Sequence, residues 1–368
     1  MRKQNFDRQT DRQTDRQTDR RDYFIDFLRG VDIFLVLWGH SLQYLTCNDS
    51  FFNNTVFKII YSFHMPLFMF LSGYVFYWSC KRKNLGKLLV SRFKGIGVPM
   101  LVWGNISFIL SLRSGAPSSL LSFAKSFVGN CLGIWFLWAV LVSSVLVAVI
   151  YRIRIHSKAL KYLLMVLAMT FITFLPKRNL ILFVYPYFII GFAFSENRIL
   201  SLYKYKHIEP VFLLLWLCMI PFYQKKHYIY TSGILPFSSD YGFWEHIGID
   251  IYRYAIGGFG IFAVVYFSRV IYNVINDKKV AKTIEFGGKH SLDIYVMQRL
   301  LLESFIAGGC VKIVNTIGSN YLTSNMLLFD YFITVMCALA CFIILSIVSK
   351  QIEKNKVLSL VLFGRKPY

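Results

Sequence analysis

Asp26-Phe27-Leu28-Arg29-Gly30-Val31-Asp32-Ile33-Phe34-Leu35-Val36-Leu37-Trp38-Gly39-His40 is an apolar helix with a cation at its start and an imidazole well inside. Arg29 and His40 are eleven positions apart. At ~100° per residue this leaves about 20° between them, so they share one face, roughly 16 Å apart along the axis. Asp26 falls within about 40° of the same line. Asp32, three residues after Arg29, is spaced to pair with it. Within hydrocarbon each of these groups is costly and must face protein or water, so a histidine in line with a terminal arginine marks a functional element.

The surrounding composition extends this reading to the whole chain. Of 368 residues 56% are hydrophobic and only 16% charged, with a mean hydropathy of +0.49. A soluble chain carries roughly a quarter charged residues, and apolar runs near ~20 residues, each long enough to cross a bilayer, recur throughout. The fold class is therefore all-α, a polytopic bundle of membrane helices. Ten apolar helices are expected near residues 30–47, 56–78, 95–112, 131–151, 161–175, 180–195, 208–223, 249–273, 291–310 and 325–349. The formal charge of +22 does not point to nucleic acid, because 30 of the 41 Lys and Arg residues fall on one set of alternate loops and termini. That asymmetry places both termini in the cytoplasm. Seven cysteines form no disulfide framework, and no Cys/His spacing resembles a metal site.

Residues 1–22 are a disordered tail, 23–350 the ten-helix membrane domain and 351–368 a basic cytoplasmic tail. The first of these holds three copies of one tetrapeptide, Asp7-Arg8-Gln9-Thr10, Asp11-Arg12-Gln13-Thr14 and Asp15-Arg16-Gln17-Thr18. It has nothing apolar to bury and is too polar for a signal peptide. The tetranucleotide GACA, repeated and read in triplets, encodes this peptide. Such tracts slip in replication, which suggests on–off switching of a bacterial surface-modifying protein; a plain electrostatic tail is the alternative.

The second helix returns as Tyr61-Ser62-Phe63-His64-Met65-Pro66-Leu67-Phe68-Met69-Phe70-Leu71-Ser72-Gly73-Tyr74. Counted from the cytoplasmic ends, His40 and His64 stand at roughly 15 and 21 Å, positioned to flank one cavity. His64 alone also fits a satisfied interhelical hydrogen bond. Pro66 cannot donate to the Ser62 carbonyl, which predicts a bend beside His64. Ser72-Gly73 lets a neighbouring helix approach closely. On the cytoplasmic side Arg92 and Lys94 abut the third helix, on the same side as Arg29, and three cations around one vestibule suit a phosphorylated donor. Glycine-rich phosphate loops are absent from the sequence, so side chains must hold such a donor.

These residues resemble the acyltransferase-3 group of membrane proteins. The resemblance rests on Arg29 with His40, on Phe63-His64-Met65-Pro66, and on Ser91-Arg92-Phe93-Lys94 before Pro99. Ile134-Trp135-Phe136-Leu137-Trp138 and Gly288-Lys289-His290-Ser291-Leu292-Asp293-Ile294-Tyr295 add to it. It spans roughly residues 22–350. It implies about ten helices and transfer of acyl groups, usually acetyl from cytoplasmic acetyl-CoA, to hydroxyls of surface glycans. It also implies His40 as the essential imidazole, with His64 beside it, and Arg29, Arg92 and Lys94 as donor-site cations, without a metal. The partners expected are a glycan or lipid-linked sugar acceptor and membrane lipid, in the bacterial cytoplasmic membrane; the oligomeric state, a homo-oligomer included, is left open. One departure is Gln298, where many relatives carry a histidine; an amide cannot act as acid or base. An appended soluble domain is not expected, so the membrane domain completes the transfer or hands off to another protein. The alternative reading is a transporter or flippase for a lipid-linked sugar, against which the lack of an inverted repeat counts.

Overall fold

The computed structural model describes residues 22–46, 49–112, 119–198, 208–237, 240–306 and 328–365, and among them the chain is all-helical. The repeats of residues 1–21, with Cys47 and Cys310, lie outside the described residues. The helices are α1 (Tyr23–Thr46), α2 (Thr55–Arg82), α3 (Leu85–Arg92), α4 (Val98–Ser111), α5 (Leu120–Gly133), α6 (Trp135–Arg152), α7 (Lys158–Leu167), α8 (Met169–Ile172), α9 (Arg178–Glu196) and α10 (Glu209–Met219). They continue as α11 (Ile229–Ser232), α12 (Phe243–Ile275), α13 (Lys279–Lys289), α14 (Ser291–Gln298), α15 (Thr334–Lys354) and α16 (Lys356–Phe363).

Among the described residues six stretches are long and apolar enough to cross a membrane: Thr55–Arg82, Leu85–Leu110, Trp135–Arg152, Arg178–Glu196, Phe243–Ile275 and Phe329–Lys354. The protein is a multi-pass membrane protein. Each of the ten expected stretches contains helix, interrupted at Ile134 in the fourth and ended at Ile172 in the fifth, but four of them fall short of these six for physical reasons. Helix α1 is long enough, but Arg29, Asp32, His40 and Gln43 lower its hydropathy. The α7–α8 stretch breaks at Ala168, Glu209–Phe222 is apolar but short, and α14 gives way to a π-helical segment, Arg299–Ile306. Helix also continues into the expected C-terminal tail. Helix α15 runs on to Lys354, and the Asn355 side chain caps a further helix by accepting from the Val357 and Leu358 amides at 2.9 and 3.1 Å.

Helix α2 is the centre of the bundle, packed against α9, α12 and α1. Its crossing with α9 is set by two glycines. A Cβ on Gly73 would overlap the Phe188 backbone, and one on Gly191 the Phe70 backbone. Each glycine thus admits the other helix's main chain, the expected use of small residues where lipid supplies no hydrophobic drive between helices. Gly30 of α1 and Gly288 of α13 do the same, each meeting backbone of the other helix. Pro66 lies inside α2, which continues as helix across it, and its ring packs towards Gly257 of α12.

The glycine crossing has a direct consequence. Gly73→Leu or Gly191→Leu should lower the melting temperature of the detergent-purified protein, since forcing side chains into a filled contact costs about 1–3 kcal/mol or more. Gly86→Ala, at an open helical position with nothing within 4 Å, should leave it unchanged or raise it.

Candidate active site

The lysine- and arginine-rich side holds a wide vestibule of about 1550 Å³ between α3, the turn after it and the end of the chain. Lys83, Lys87, Arg92, Lys94 and Arg365 are among its lining residues. The local backbone explains the position of Lys94. Pro99, at the start of α4, has no N–H to bond four residues back, and Phe93–Gly97 widens into a π-helical turn in which the Val98 amide bonds the Phe93 carbonyl. Arg92 is fixed more tightly than Lys94. Its guanidinium lies 4.5 Å from the Phe76 ring centroid and donates to Ser79 Oγ at 3.3 Å.

Arg29 lies within electrostatic reach of Arg92, so the three predicted cations do collect at one end of the bundle. From there α1 rises as unbroken helix, which preserves the offset between Arg29 and His40. Asp32 is fully buried and feels the Arg29 charge, but neither of its carboxylate oxygens has a hydrogen-bond partner among the described residues. The expected Arg29–Asp32 pair is therefore through-space rather than hydrogen-bonded. Higher on the same helix His40 is half-buried and stacks on Tyr44, with ring centroids 5.8 Å apart and planes 17° from parallel.

His64 stands within electrostatic reach of His40. It is buried, and its Nδ1 lies 2.9 Å from the Ile60 carbonyl one turn earlier. A carbonyl can only accept, so Nδ1 carries the proton and Nε2 keeps the lone pair. The expected interhelical bond is thus a bond within α2. His64 also lines an aromatic pocket with Tyr61, Trp135, Phe183, Tyr228 and Tyr230. Tyr61 joins this pocket to α1 through a 3.2 Å bond to Gln43 and through its ring, which packs on Gly39.

The wall formed by residues 224–234 is held by a buried arginine that sequence marks only as intramembrane. Arg253 of α12 donates to the carbonyls of His227 at 3.0 Å and Gly233 at 2.7 Å, to Asp250 Oδ1 at 2.9 Å and to the Ser232 hydroxyl. Burial, with the charges of Lys226 and Arg253, pushes the His227 imidazole down to about 4, so it is neutral at pH 7. Its Nδ1 accepts the Gln224 amide at 2.8 Å. Gln298 ends α14, buried, its Oε1 without a partner among the described residues.

Sequence reasoning thus placed Arg29, Arg92 and Lys94 together and His40 near His64. It missed Lys83 and Lys87 as vestibule residues, having counted them as topology signal, and it missed Arg365, the Arg253 clamp and the aromatic pocket. The density of tyrosine and tryptophan near 223–230 and 135 was the available signal for the pocket.

The chain belongs to the acyltransferase-3 family: the family model, described as an acyltransferase domain, matches residues 22–349. Two curated relatives are both named nodulation protein NolL. That of Sinorhizobium fredii is 36% identical over 185 residues, 48% of this chain and 50% of the relative. That of Mesorhizobium japonicum is 29% identical over 230 residues, 58% of this chain and 60% of the relative. The chain spans about half the length of the curated relatives it matches. No solved structure matches it.

The clamp is open to test. Arg253→Met removes the donor to Asp250 Oδ1 and to two backbone carbonyls, and breaking a buried pair of this kind costs about 3–5 kcal/mol. It should lower the melting temperature markedly, and Arg253→Lys, which keeps charge but not the planar fork, should lower it less. Equal melting of all three proteins would show that the loop is held by other contacts.

Proposed function

We propose that the protein is a membrane-bound O-acyltransferase that moves an acetyl group from cytoplasmic acetyl-CoA to a hydroxyl of a cell-surface glycan. The observation that carries this reading is the basic vestibule at the foot of α1, the helix whose same face carries His40. Ten spans with both termini in the cytoplasm, as the charge asymmetry requires, would open the vestibule to the cytoplasm and the aromatic pocket to the outside. Aromatic bodies with polar tips suit a sugar. Switching of the tetranucleotide tract would vary such a surface modification.

The chemistry requires a base near neutral pH, and imidazole is the side chain suited to it. Arg29, Arg92 and Lys94 hold the donor phosphates, and the thioester arm runs along α1 towards His40. His40 takes the proton of the acceptor hydroxyl while its oxygen attacks the thioester carbonyl; the C–S bond breaks, and the proton passes to the departing thiolate. The same imidazole, acylated first, would give the same products in two steps. His64 lines the aromatic pocket, where its Nε2 is available to orient the acceptor hydroxyl.

Mass spectrometry of the host's surface glycans with and without the gene tests the reading directly. Loss of an acetyl increment is expected, and identical glycans would overturn it. Within the site, Arg92→Ala and Lys94→Ala should raise KM for acetyl-CoA far more than KM for the acceptor. Equal effects on both would reduce these cations to topology signals.

The two histidines should separate. His40→Ala and His40→Gln should each lose at least ~10²-fold in turnover at normal membrane abundance, the scale of general-base catalysis. His64→Gln can still donate to the Ile60 carbonyl and should keep measurable activity. An active His40→Gln enzyme would end the chemical role assigned to His40.

A further inference from the structure

The motif Gly288 to Tyr295 at the α13–α14 junction has no role in the transfer as described, yet its side chains hold the end of the chain. Helix α16 closes with Gly364 in the left-handed conformation at φ 62°, where its amide bonds the Leu360 carbonyl. A Cβ at this glycine would overlap the carbonyl of Lys94. The segment therefore lies flat against the π-helical turn of the vestibule. Trp103 of α4 secures it twice, donating its indole N–H to the Leu362 carbonyl at 3.2 Å and stacking on the buried Phe363 ring with centroids 6.1 Å apart. This packing brings Arg365 into the vestibule wall beside Arg92 and Lys94.

Arg365 is aimed from the other side. Its guanidinium donates to the Asp293 carboxylate, which is 3% exposed. Asp293 Oδ2 also receives the Ser349 hydroxyl at 3.1 Å and lies 3.0 Å from His290 Nδ1, and His290 Nε2 lies 3.3 Å from Glu353 Oε2. A guanidinium has five donors in a rigid fork, so one edge can rest on a carboxylate while another meets an anion. The side chain keeps 23% of its surface open.

We propose that Arg365 is a donor-binding residue for the phosphates of an acyl-CoA, supplied by the C-terminal helix, and that Asp293 is its positioning residue. Arg365 lies beyond the stretch 22–349 that matches the family model, so this part of the site is carried by a segment outside that match. The inference rests on the donor-site reading above. It differs from it in a testable way, because Arg92 belongs to the vestibule independently of the tail.

The test uses the full-length protein in nanodiscs, with coenzyme A as the equilibrium-binding probe and acetyl-CoA as the kinetic one. Arg365→Ala should weaken coenzyme A binding and raise KM for acetyl-CoA about 10- to 100-fold, the scale of a lost charge-assisted hydrogen bond. The acceptor KM and kcat at saturating donor should stay unchanged. Arg365→Lys should recover part of the loss. Asp293→Asn should give a smaller rise in donor KM at unaltered kcat, which a general loosening of the fold would not produce. Should Arg365→Ala fail to fold, Arg365→Gln and removal of residues 364–368 ask the same question. If Arg92→Ala loses coenzyme A affinity while the tail variants bind like wild type, the proposal is wrong and the vestibule reading stands. If wild type does not bind coenzyme A, both readings fall together.

Discussion

The backbone contact between α2 and α9 is the constraint on which the arrangement depends. Gly73 and Gly191 each admit the main chain of the opposing helix, and no larger side chain fits at either position without moving it. In a membrane protein, where apolar side chains gain little by leaving lipid for one another, such close approach is the main source of helix association. Because α2 also packs on α1 and α12, fixing it fixes the imidazole of His64 relative to His40. It also fixes Tyr61 relative to Gly39 of α1.

A second constraint is the cost of polar groups in a low-dielectric interior. The intramembrane arginines answer it with specific partners: Arg253 with carbonyls and Asp250, Arg269 with Glu209, Arg299 with the Asn130 carbonyl. Asp32, by contrast, is buried with no hydrogen-bond partner to either oxygen among the described residues and with only the nearby charge of Arg29. The result is a graded interior. Cations gather at the vestibule, imidazoles and one carboxylate occupy the middle, and a pocket of aromatic rings lies around His64.

The parts of this protein written in local sequence were those governed by a single helix. Hydropathy located the six stretches able to cross a membrane, the 3.6-residue period placed Arg29 and His40 on one face, and adjacency to α4 put Arg92 and Lys94 at the same mouth. Ser72-Gly73 announced a close helix crossing, although not its partner. The boundaries that slipped, such as the extension of α15 to Lys354, did so where a basic, amphipathic continuation resembles a solvated tail in one dimension.

What only the tertiary structure decided is which distant residues meet. Arg365 reaches the vestibule because Gly364 turns against Lys94 and Asp293 holds the guanidinium. Arg253 builds a pocket wall from carbonyls twenty or more residues away. These contacts join segments far apart in the chain through backbone carbonyls and packing, which every residue possesses, so no local composition could reveal them. The sequence by itself determined the helices, their polar faces and the chemistry available on each. The way they meet required the packing of helices on glycine, a long-range geometric condition that hydropathy and period do not encode.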